Sequence, residues 1–179
     1  PTEPPHPPSP PQPPPLPAHS TLLFNFTGVR APKEGGGYDG VQLGGIAILG
    51  HDGRLLEIES ITGPGGDSPT AQQPEKLIAY QSTMTDDMTP AEAVMSNGNS
   101  KWYDGRFGPT GESLLQVTLA SAEVVGSYLL RTTGNPKRRD PASWSVEAQL
   151  PDGTTDVLQL IHATAIPNAR KALYDEFHL

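Results

Sequence analysis

Alternating apolar and polar positions predict a series of half-buried strands in this chain. Between His19 and Val29 the large apolar side chains recur at every second residue, so Leu22, Phe24 and Phe26 share one face of a strand. The same pattern predicts further strands at Leu114–Leu119, Val124–Thr132, Ser143–Leu150 and Thr155–His162. A chain with many short strands separated by glycine and proline is typical of an all-β domain.

Turn residues divide these strands into hairpins. Asp52-Gly53 lies between the apolar runs Val41–Leu49 and Leu55–Ser60 and predicts one hairpin. Asp152-Gly153 predicts another before the last long strand. Pro74–Tyr80 fits a short strand or a turn.

Helical signals are few and short. Pro90–Met95 predicts one or two helical turns with Thr89 as the N-cap. Near the end of the chain, Asn168 is expected to cap a short helix over Ala169–Leu173. Phe177–Leu179 would then add a last strand or dock on the core.

Each tryptophan enters a strand from a turn. Trp102 follows the polar turn Asn97–Lys101, and Trp144 follows Asp140–Ser143. We expect both rings to be buried in a single core, because large aromatic side chains contribute much of the apolar area that a small domain buries.

Two segments carry a resemblance to a known family. Ala93–Trp102, together with Arg139–Val146 and Asp152-Gly153, resembles the galactose-binding-like (discoidin, or coagulation factor C-type) β-sandwich, whose members pair A…DGN…KW with RDP.SW.(L/V)…DG. Val41–Ile46 resembles an early strand of the same family. The resemblance implies an all-β jelly-roll sandwich over residues 19–179. This chain lacks cysteine, whereas many discoidin-type members close their termini with a disulfide.

Residues 1–18 form a separate proline-rich segment. Eleven of the 21 prolines fall within Pro1–Pro17, a composition that excludes helix and favours polyproline II. We interpret the segment as a linker or stalk, and its PxxP spacings also permit a signalling ligand. It resembles the tracts of hydroxyproline-rich wall and matrix glycoproteins, which implies covalently attached glycans. The proline positions concerned are Pro4, Pro5, Pro7, Pro8, Pro10, Pro11, Pro13, Pro14 and Pro15.

A second kind of glycan site occurs in the first strand. Asn25-Phe26-Thr27 is an N-glycosylation sequon. Because Asn25 alternates with the phenylalanines, its side chain should leave the apolar face, which permits a surface glycan. A single three-residue match also arises readily by chance.

Composition and charge exclude several classes of function. The net charge is −8, and Lys137-Arg138-Arg139 is the one cationic cluster in the sequence, which argues against nucleic acid as a partner. No segment approaches the roughly 20 apolar residues of a membrane-spanning helix, so no membrane span is expected. The lack of cysteine excludes disulfides and thiolate zinc sites.

Recognisable catalytic motifs are missing from the sequence. Its five histidines show no HxxxH or HExxH spacing, and GxSxG and P-loop motifs do not occur. We therefore expect a protein that is not an enzyme.

The resemblance implies two kinds of binding site. Family members often hold a structural calcium ion in the loop matching Ala93–Asp104, where Asn97, Asn99 and Asp104 offer oxygen ligands. Asn97-Gly98-Asn99 is equally ordinary turn chemistry. Family members also bind carbohydrate through loops at one end of the sandwich. The candidates at those positions are Tyr103, Arg106, Phe107, Arg138 and Arg139.

Two hypotheses about function follow. The first is a structural extracellular glycoprotein subunit, at the cell surface or in a cell wall matrix, that forms a fibre, hair or matrix homopolymer through its N-terminal region. In that polymer the strand Thr21–Val29 would cross to a neighbouring sandwich and insert Leu22, Phe24 and Phe26 there. The alternative is a carbohydrate-binding or cell-adhesion module on a proline-rich stalk.

Overall fold

The computed structural model describes residues 14–63, 74–134 and 136–179. The polyproline prediction for residues 1–13 lies outside the described residues, as do the glycosylation predictions for Pro4 to Pro13. Pro14 and Pro15 are exposed and belong to no helix or strand.

Strands dominate the described part of the chain. They are β1 His19–Val29, β2 Val41–Leu43, β3 Gly45–Gly50, β4 Ile58–Thr62, β5 Trp102–Asp104, β6 Ser113–Glu123, β7 Val125–Arg131, β8 Pro141–Gln149, β9 Thr155–Ile161 and β10 Phe177–His178. The helices are α1 Pro90–Ser96, α2 Phe107–Thr110 and the 3₁₀ helices Pro74–Thr83 and Lys137–Arg139. None of the helices in these described ranges is long and apolar enough to cross a membrane.

The strands form antiparallel sheets. A five-stranded sheet has the order β4-β6-β1-β8-β9, a three-stranded sheet has the order β10-β7-β3, and β2 pairs with β5. The predicted all-β class is confirmed. The longest strands, β1 and β6, lie side by side in the five-stranded sheet. Their alternating side chains supply one apolar face of that sheet.

The two larger sheets pack face to face through aromatic side chains. The ring of Phe24 on β1 meets the ring of Tyr128 on β7 edge-on, with centroids 5.1 Å apart. Trp144 on β8 donates a hydrogen bond from its indole nitrogen to the Tyr128 hydroxyl over 2.9 Å. These contacts give the chain the layered core of a β-sandwich.

Both tryptophans are buried, as predicted. Trp102 and Trp144 are each 1% exposed, and their ring centroids lie 5.8 and 6.1 Å from that of Phe26. One phenylalanine on the central strand therefore joins the two anchors in a single core.

The predicted helix after Thr89 is confirmed. The Thr89 hydroxyl accepts a hydrogen bond from the Glu92 amide, and the Glu92 carboxylate accepts one from the Thr89 amide, which completes a capping box. Pro74–Tyr80, expected as a short strand or a turn, instead belongs to the 3₁₀ helix Pro74–Thr83, which buries Leu77 and Tyr80. Helix α2 was not predicted, and it ends at Gly111 with φ of 75°.

One of the two predicted hairpins is confirmed and the other is largely wrong. Asp152-Gly153 turns β8 into β9, with the Leu150 amide donating to the Thr154 carbonyl over 2.8 Å. At Asp52-Gly53 the turn forms, but the strand pairing stops after the single bridge between Leu49 and Leu55. Strand β3 pairs with β7 and β4 pairs with β6, so this turn carries the chain from one sheet to the other.

The predicted helix at Ala169–Leu173 is wrong. The tail instead runs beside the end of β7, because its backbone finds hydrogen-bond partners there. The Lys171 amide donates to the Thr133 carbonyl and the Thr132 amide donates to the Ala172 carbonyl. Phe177–His178 then pairs with β7, in agreement with the expectation of a last strand.

The expectation that β1 reaches a neighbouring copy requires correction. Strand β1 is hydrogen-bonded to β6 on one side and to β8 on the other, so it has no open edge. Leu22, Phe24 and Phe26 are each 0% exposed within their own chain. We therefore assign these three side chains to the core of their own domain.

Candidate functional site

Cationic side chains gather where three connecting segments meet. The turn after α1, the segment after β7 and the C-terminal tail enclose a cleft of about 180 Å³. We call it the cationic cleft, and it is lined by Gly98, Asn99, Ser100, Lys101, Thr133, Gly134 and Lys171. No carboxylate of the described residues lines it, although the chain as a whole is acidic.

The turn that carries Lys101 is fixed by Asn97. The Asn97 side-chain amide donates hydrogen bonds to the carbonyls of Gly44, Lys76 and Leu77. Its oxygen accepts a hydrogen bond from the Ser100 hydroxyl over 3.1 Å. Asn97 is 7% exposed and thus acts as a structural centre for this turn.

A buried arginine lies beneath the cleft. Arg131, at the end of β7, is 1% exposed and donates to the carbonyl of Gly98 over 3.0 Å and to that of Gly44 over 2.6 Å. Its Nε has no hydrogen-bond partner, and no carboxylate within the described ranges pairs with it. Burial lowers the pKa of Arg131 from its ordinary value.

A tight backbone contact holds Arg131 in place. A β-carbon at Gly44 would lie 2.5 Å from the Thr132 carbonyl oxygen and 3.3 Å from Arg131 Cζ. Glycine is therefore needed where β2 passes into β3, because any larger residue would push the guanidinium and the β7 backbone away.

Thr133 and Lys171 face each other across the two segments. Thr133 is 4% exposed, and its hydroxyl has no hydrogen-bond partner in the part of the chain that is described. The Lys171 ammonium donates to the side-chain oxygen of Asn99. Lys171 has φ of 53°, a left-handed conformation that non-glycine residues adopt at a cost of roughly 1–2 kcal/mol.

An arginine cluster adjoins the cleft; we define it as Asp39, Tyr103, Arg138 and Arg139. One Asp39 carboxylate oxygen accepts hydrogen bonds from Arg138 over 2.5 Å and from Arg139 over 2.9 Å. The hydrogen bond from Arg139, followed by that from Arg138, holds the pKa of Asp39 well below its ordinary value, against the opposing effect of burial.

Tyr103 connects the arginine cluster to the cleft. Its hydroxyl donates to the Asp39 carbonyl over 2.5 Å, and the guanidinium of Arg139 lies 4.5 Å from its ring centroid. The Lys101 ammonium lies 5.6 Å from the same centroid. Burial, and secondly the charge of Arg139, lower the pKa of Lys101. Cations of both groups therefore share one aromatic ring.

A separate ion pair, between Arg30 and Asp140, lies at the start of β8. Asp140, 2% exposed, accepts hydrogen bonds from Arg30 over 3.3 Å and from Gln42 over 3.2 Å. Burial raises the pKa of Asp140 despite these partners. The carboxylate ties β8 to β2 and to the end of β1, while Arg138 and Arg139 form their ion pairs within the described ranges with Asp39.

The predicted carbohydrate ligands are only partly brought together. Tyr103, Arg138 and Arg139 lie together around Asp39, and their binding of a ligand stays a prediction. Phe107 is 0% exposed and packs against Tyr38 with centroids 5.6 Å apart, so its ring is unavailable for stacking on a ligand. Arg106 lines a different cleft of about 320 Å³.

The three predicted calcium ligands have partners elsewhere. Asp104 accepts hydrogen bonds from the Arg106 amide over 2.8 Å and from the Ser113 hydroxyl over 2.6 Å. Asn99 is bound to Lys171, and Asn97 holds its own turn. The structure therefore does not bring Asn97, Asn99 and Asp104 together as one ligand set.

Asn25 lies on the outer side of the five-stranded sheet. It is half-buried and borders the cleft of about 320 Å³ together with Leu23, Leu114 and Glu147. Its side chain leaves the face of Phe24 and Phe26, as the alternation predicted. Modification of Asn25 stays a prediction.

Sequence reasoning missed Asp39, Arg131, Thr133 and Lys171. A usable signal existed for Arg131, since this cation directly follows the apolar pair Leu129-Leu130 inside the strand predicted over Val124–Thr132. For Asp39 and Lys171 the sequence carries no comparable signal, because their partners are remote in the chain.

No family model, no curated protein and no solved structure matches the chain.

Proposed function

We propose that this protein is a non-catalytic, extracellular carbohydrate-binding module with a galactose-binding-like jelly-roll fold. Its ligand contacts the arginine cluster and the neighbouring cationic cleft. The proposal takes up the second of the two functions suggested by the sequence, because the geometry of the described residues supports it best.

The observation that carries the proposal is the fixed orientation of two guanidinium groups. Asp39 holds one nitrogen of Arg138 and one of Arg139, and the Tyr103 ring lies against the second arginine. Each guanidinium has five N–H donors, so others stay available for sugar oxygens. Arg138 is 39% exposed in its side chain, which leaves it accessible to a ligand. Donors that are already oriented lose little entropy when a ligand binds.

The chemistry favours hydrogen bonds and charge over aromatic stacking. Phe107 is buried and the Tyr103 ring is already in contact with Arg139. Tyr80, Tyr128 and Tyr174 have pKa values raised by burial, and they lie in the interior. We propose no catalytic role for them.

The polymer hypothesis depends on other residues. Its connector was the N-terminal region, and residues 1–13 lie outside the described residues while β1 belongs to its own core. Assembly as a homopolymer and glycosylation of the prolines stay predictions about that region.

A glycan array tests the proposed function. We expect the protein to bind a subset of saccharides, and Arg138→Gln to weaken that binding by about tenfold, as for loss of one charge-assisted hydrogen bond. Arg54→Gln is the matched control, because Arg54 also forms ion pairs, with Asp52 and Glu123, away from this site.

Two results would contradict the proposal. One is an array on which no saccharide binds above background. The other is equal loss of binding in both variants, which would indicate nonspecific attraction to positive charge.

A further inference from the structure

We infer that the cationic cleft binds an oxyanion, the carboxylate or sulfate group of an acidic saccharide, between Lys101 and Lys171. The inference rests on the proposed function and narrows it from carbohydrates in general to acidic ones. Four observations about the cleft lead to it, each taken from a different group of atoms.

The first observation is the charge of the lining. Lys101 and Lys171 both line the cleft, and no Asp or Glu in the described ranges does so. Within the described ranges the Lys171 ammonium donates to a neutral amide oxygen, that of Asn99. An ammonium gains more from an anionic oxygen than from an amide oxygen, because the hydrogen bond is then charge-assisted at both ends.

The second observation is the uncompensated arginine below. Arg131 is 1% exposed, and its described partners are backbone carbonyls of Gly98 and Gly44. A buried cation without a counter-ion is unfavourable, since it has lost its hydration and gained no opposite charge. Gly98 lines the cleft, so an anion bound there would lie just above this guanidinium and offset its charge.

The third observation is the Thr133 hydroxyl. Thr133 lines the cleft and is only 4% exposed. Its hydroxyl has no hydrogen-bond partner within the described segments. Buried hydroxyl groups almost always have a partner, and those without one need an explanation. An oxyanion in the adjacent cleft would accept the hydrogen bond that Thr133 does not otherwise make.

The fourth observation concerns access and size. The Thr133 oxygen is closed to water, and Lys171 Cε lies 3.9 Å from the position that a β-carbon on Gly134 would take. A ligand oxygen would therefore compete with the Asn99 side-chain oxygen for the Lys171 ammonium, which lies at the wall of the cleft. About 180 Å³ is below the roughly 300–1,000 Å³ of sites that enclose whole ligands, so the cleft suits one charged group.

Together these features describe an anion-binding site whose hydrogen-bond donors are only partly satisfied by the described residues. Asn99 supplies one oxygen to Lys171, while Arg131 and Thr133 keep unused N–H and O–H donors. A carboxylate or sulfate supplies several acceptor oxygens and a negative charge at once, which a neutral hydroxyl of a sugar does not.

The test measures binding of inorganic sulfate and of glucuronate by amide chemical shifts, with chloride added to keep ionic strength constant. We expect saturable shifts at the amides of Gly98, Gly134 and Lys171. Lys171→Met should weaken both anions by about tenfold, the effect of losing one charge-assisted contact. Lys33→Met, a substitution of an exposed lysine elsewhere, should not change the affinity.

Thr133→Val gives a readout that a merely structural role would not produce. Valine keeps the shape and removes a buried hydroxyl without a partner, so the melting temperature should stay equal or rise. The anion affinity should nevertheless fall several-fold, since the proposed donor is lost.

The outcomes separate this inference from the proposed function. Absence of saturable shifts in the cleft overturns the inference, even if neutral saccharides bind through Arg138. Saccharide binding that is unaffected by Lys171→Met also overturns it. Sulfate binding at the cleft in a protein that binds no saccharide supports the anion-binding site and contradicts the carbohydrate function, with free anions as the source of the ligand.

Discussion

The apolar core of this protein differs from its cationic end, by which we mean the cationic cleft, Arg131 beneath it and the adjoining arginine cluster. The two regions satisfy their buried side chains in different ways. In the core, Trp144 is 1% exposed, and its indole N–H donates to the Tyr128 hydroxyl, so both its apolar surface and its polar atom are satisfied. At the cationic end, Arg131 is also 1% exposed, yet its Nε lacks a partner and its charge lacks a counter-ion among the described residues.

The difference shows that burial alone does not measure what a side chain contributes to stability. Apolar burial contributes about 25 cal/mol per Å² of area removed from water, and it requires no partner of opposite charge. Burial of a cation carries a desolvation penalty that its hydrogen bonds must offset. The uncompensated charge of Arg131 is the feature of this region that the proposed binding of an anion would explain.

The largest expected effect compares these two side chains directly. Trp144→Ala should reduce the free energy of unfolding by about 3–5 kcal/mol, because it deletes a large aromatic side chain from the core. Arg131→Met should reduce it by roughly 1 kcal/mol or less, since methionine fills similar space and removes the buried charge while the lost hydrogen bonds oppose that gain. Denaturant unfolding measures both.

Val157→Ala serves as the control for these substitutions, because Val157 is 58% exposed and should change stability little. Equal losses for Trp144→Ala and Arg131→Met would contradict the proposed difference between the two regions. Near-normal stability of Trp144→Ala would refute the assignment of this ring to the core.

The second prediction concerns the carboxylate that organises the arginine cluster. Asp39→Asn should cost about 1–2 kcal/mol at pH 6, as expected for hydrogen bonds to charged groups at a partly exposed site. The folded-state pKa of Asp39 lies below its ordinary value of 3.8. Its contribution is therefore fully present above that value and is lost as the pH falls towards the folded-state pKa.

Denaturant unfolding at pH 6 and at pH 3 tests this dependence. The difference between the native protein and Asp39→Asn should shrink at the lower pH. Asp156→Asn, which changes an exposed carboxylate on β9, should show little difference at either pH. A difference that grows on acidification would show that the sign of the Asp39 contribution is wrong.

Much of the core followed from local sequence patterns. The alternation around Phe24 and the turn at Asp152-Gly153 specify strands whose neighbours are close in sequence or whose faces are plainly apolar. Thr89 and Glu92 similarly define the start of α1 through contacts three residues apart. Such features were predictable because period and capping act locally.

The cationic end was mostly not predictable, because its contacts are remote in sequence. Asp39 meets Arg138 across 99 positions, and Asn99 meets Lys171 across 72. The failed helix prediction at Ala169–Leu173 has the same cause, since pairing with the segment after β7 overrides the local helical preference. Tyr103 and Arg139 were named as ligand candidates through the family resemblance, and their role in binding stays a prediction.

The smallest expected change in stability gives the sharpest test of the cationic end. Lys171 and Ala163 are the non-glycine residues with positive φ in the described chain, at 53° and 49°. Substitution by glycine relieves a left-handed conformation that costs roughly 1–2 kcal/mol, but it also increases the entropy of the unfolded chain by a comparable free energy. Lys171→Gly and Ala163→Gly should therefore both lie within about 1 kcal/mol of the native protein in denaturant unfolding.

The two glycine variants should differ in binding, because Lys171 contributes a cation to the cleft and Ala163 does not line it. Sulfate and glucuronate should bind Ala163→Gly with native affinity and Lys171→Gly about tenfold more weakly. Since both substitutions place glycine at a position of positive φ, this difference reports the loss of the lysine side chain. The opposite outcome is that Lys171→Gly loses several kcal/mol of stability and keeps its anion affinity. That result would make Lys171 a structural residue, and it would contradict the proposed difference between the core and the cationic end.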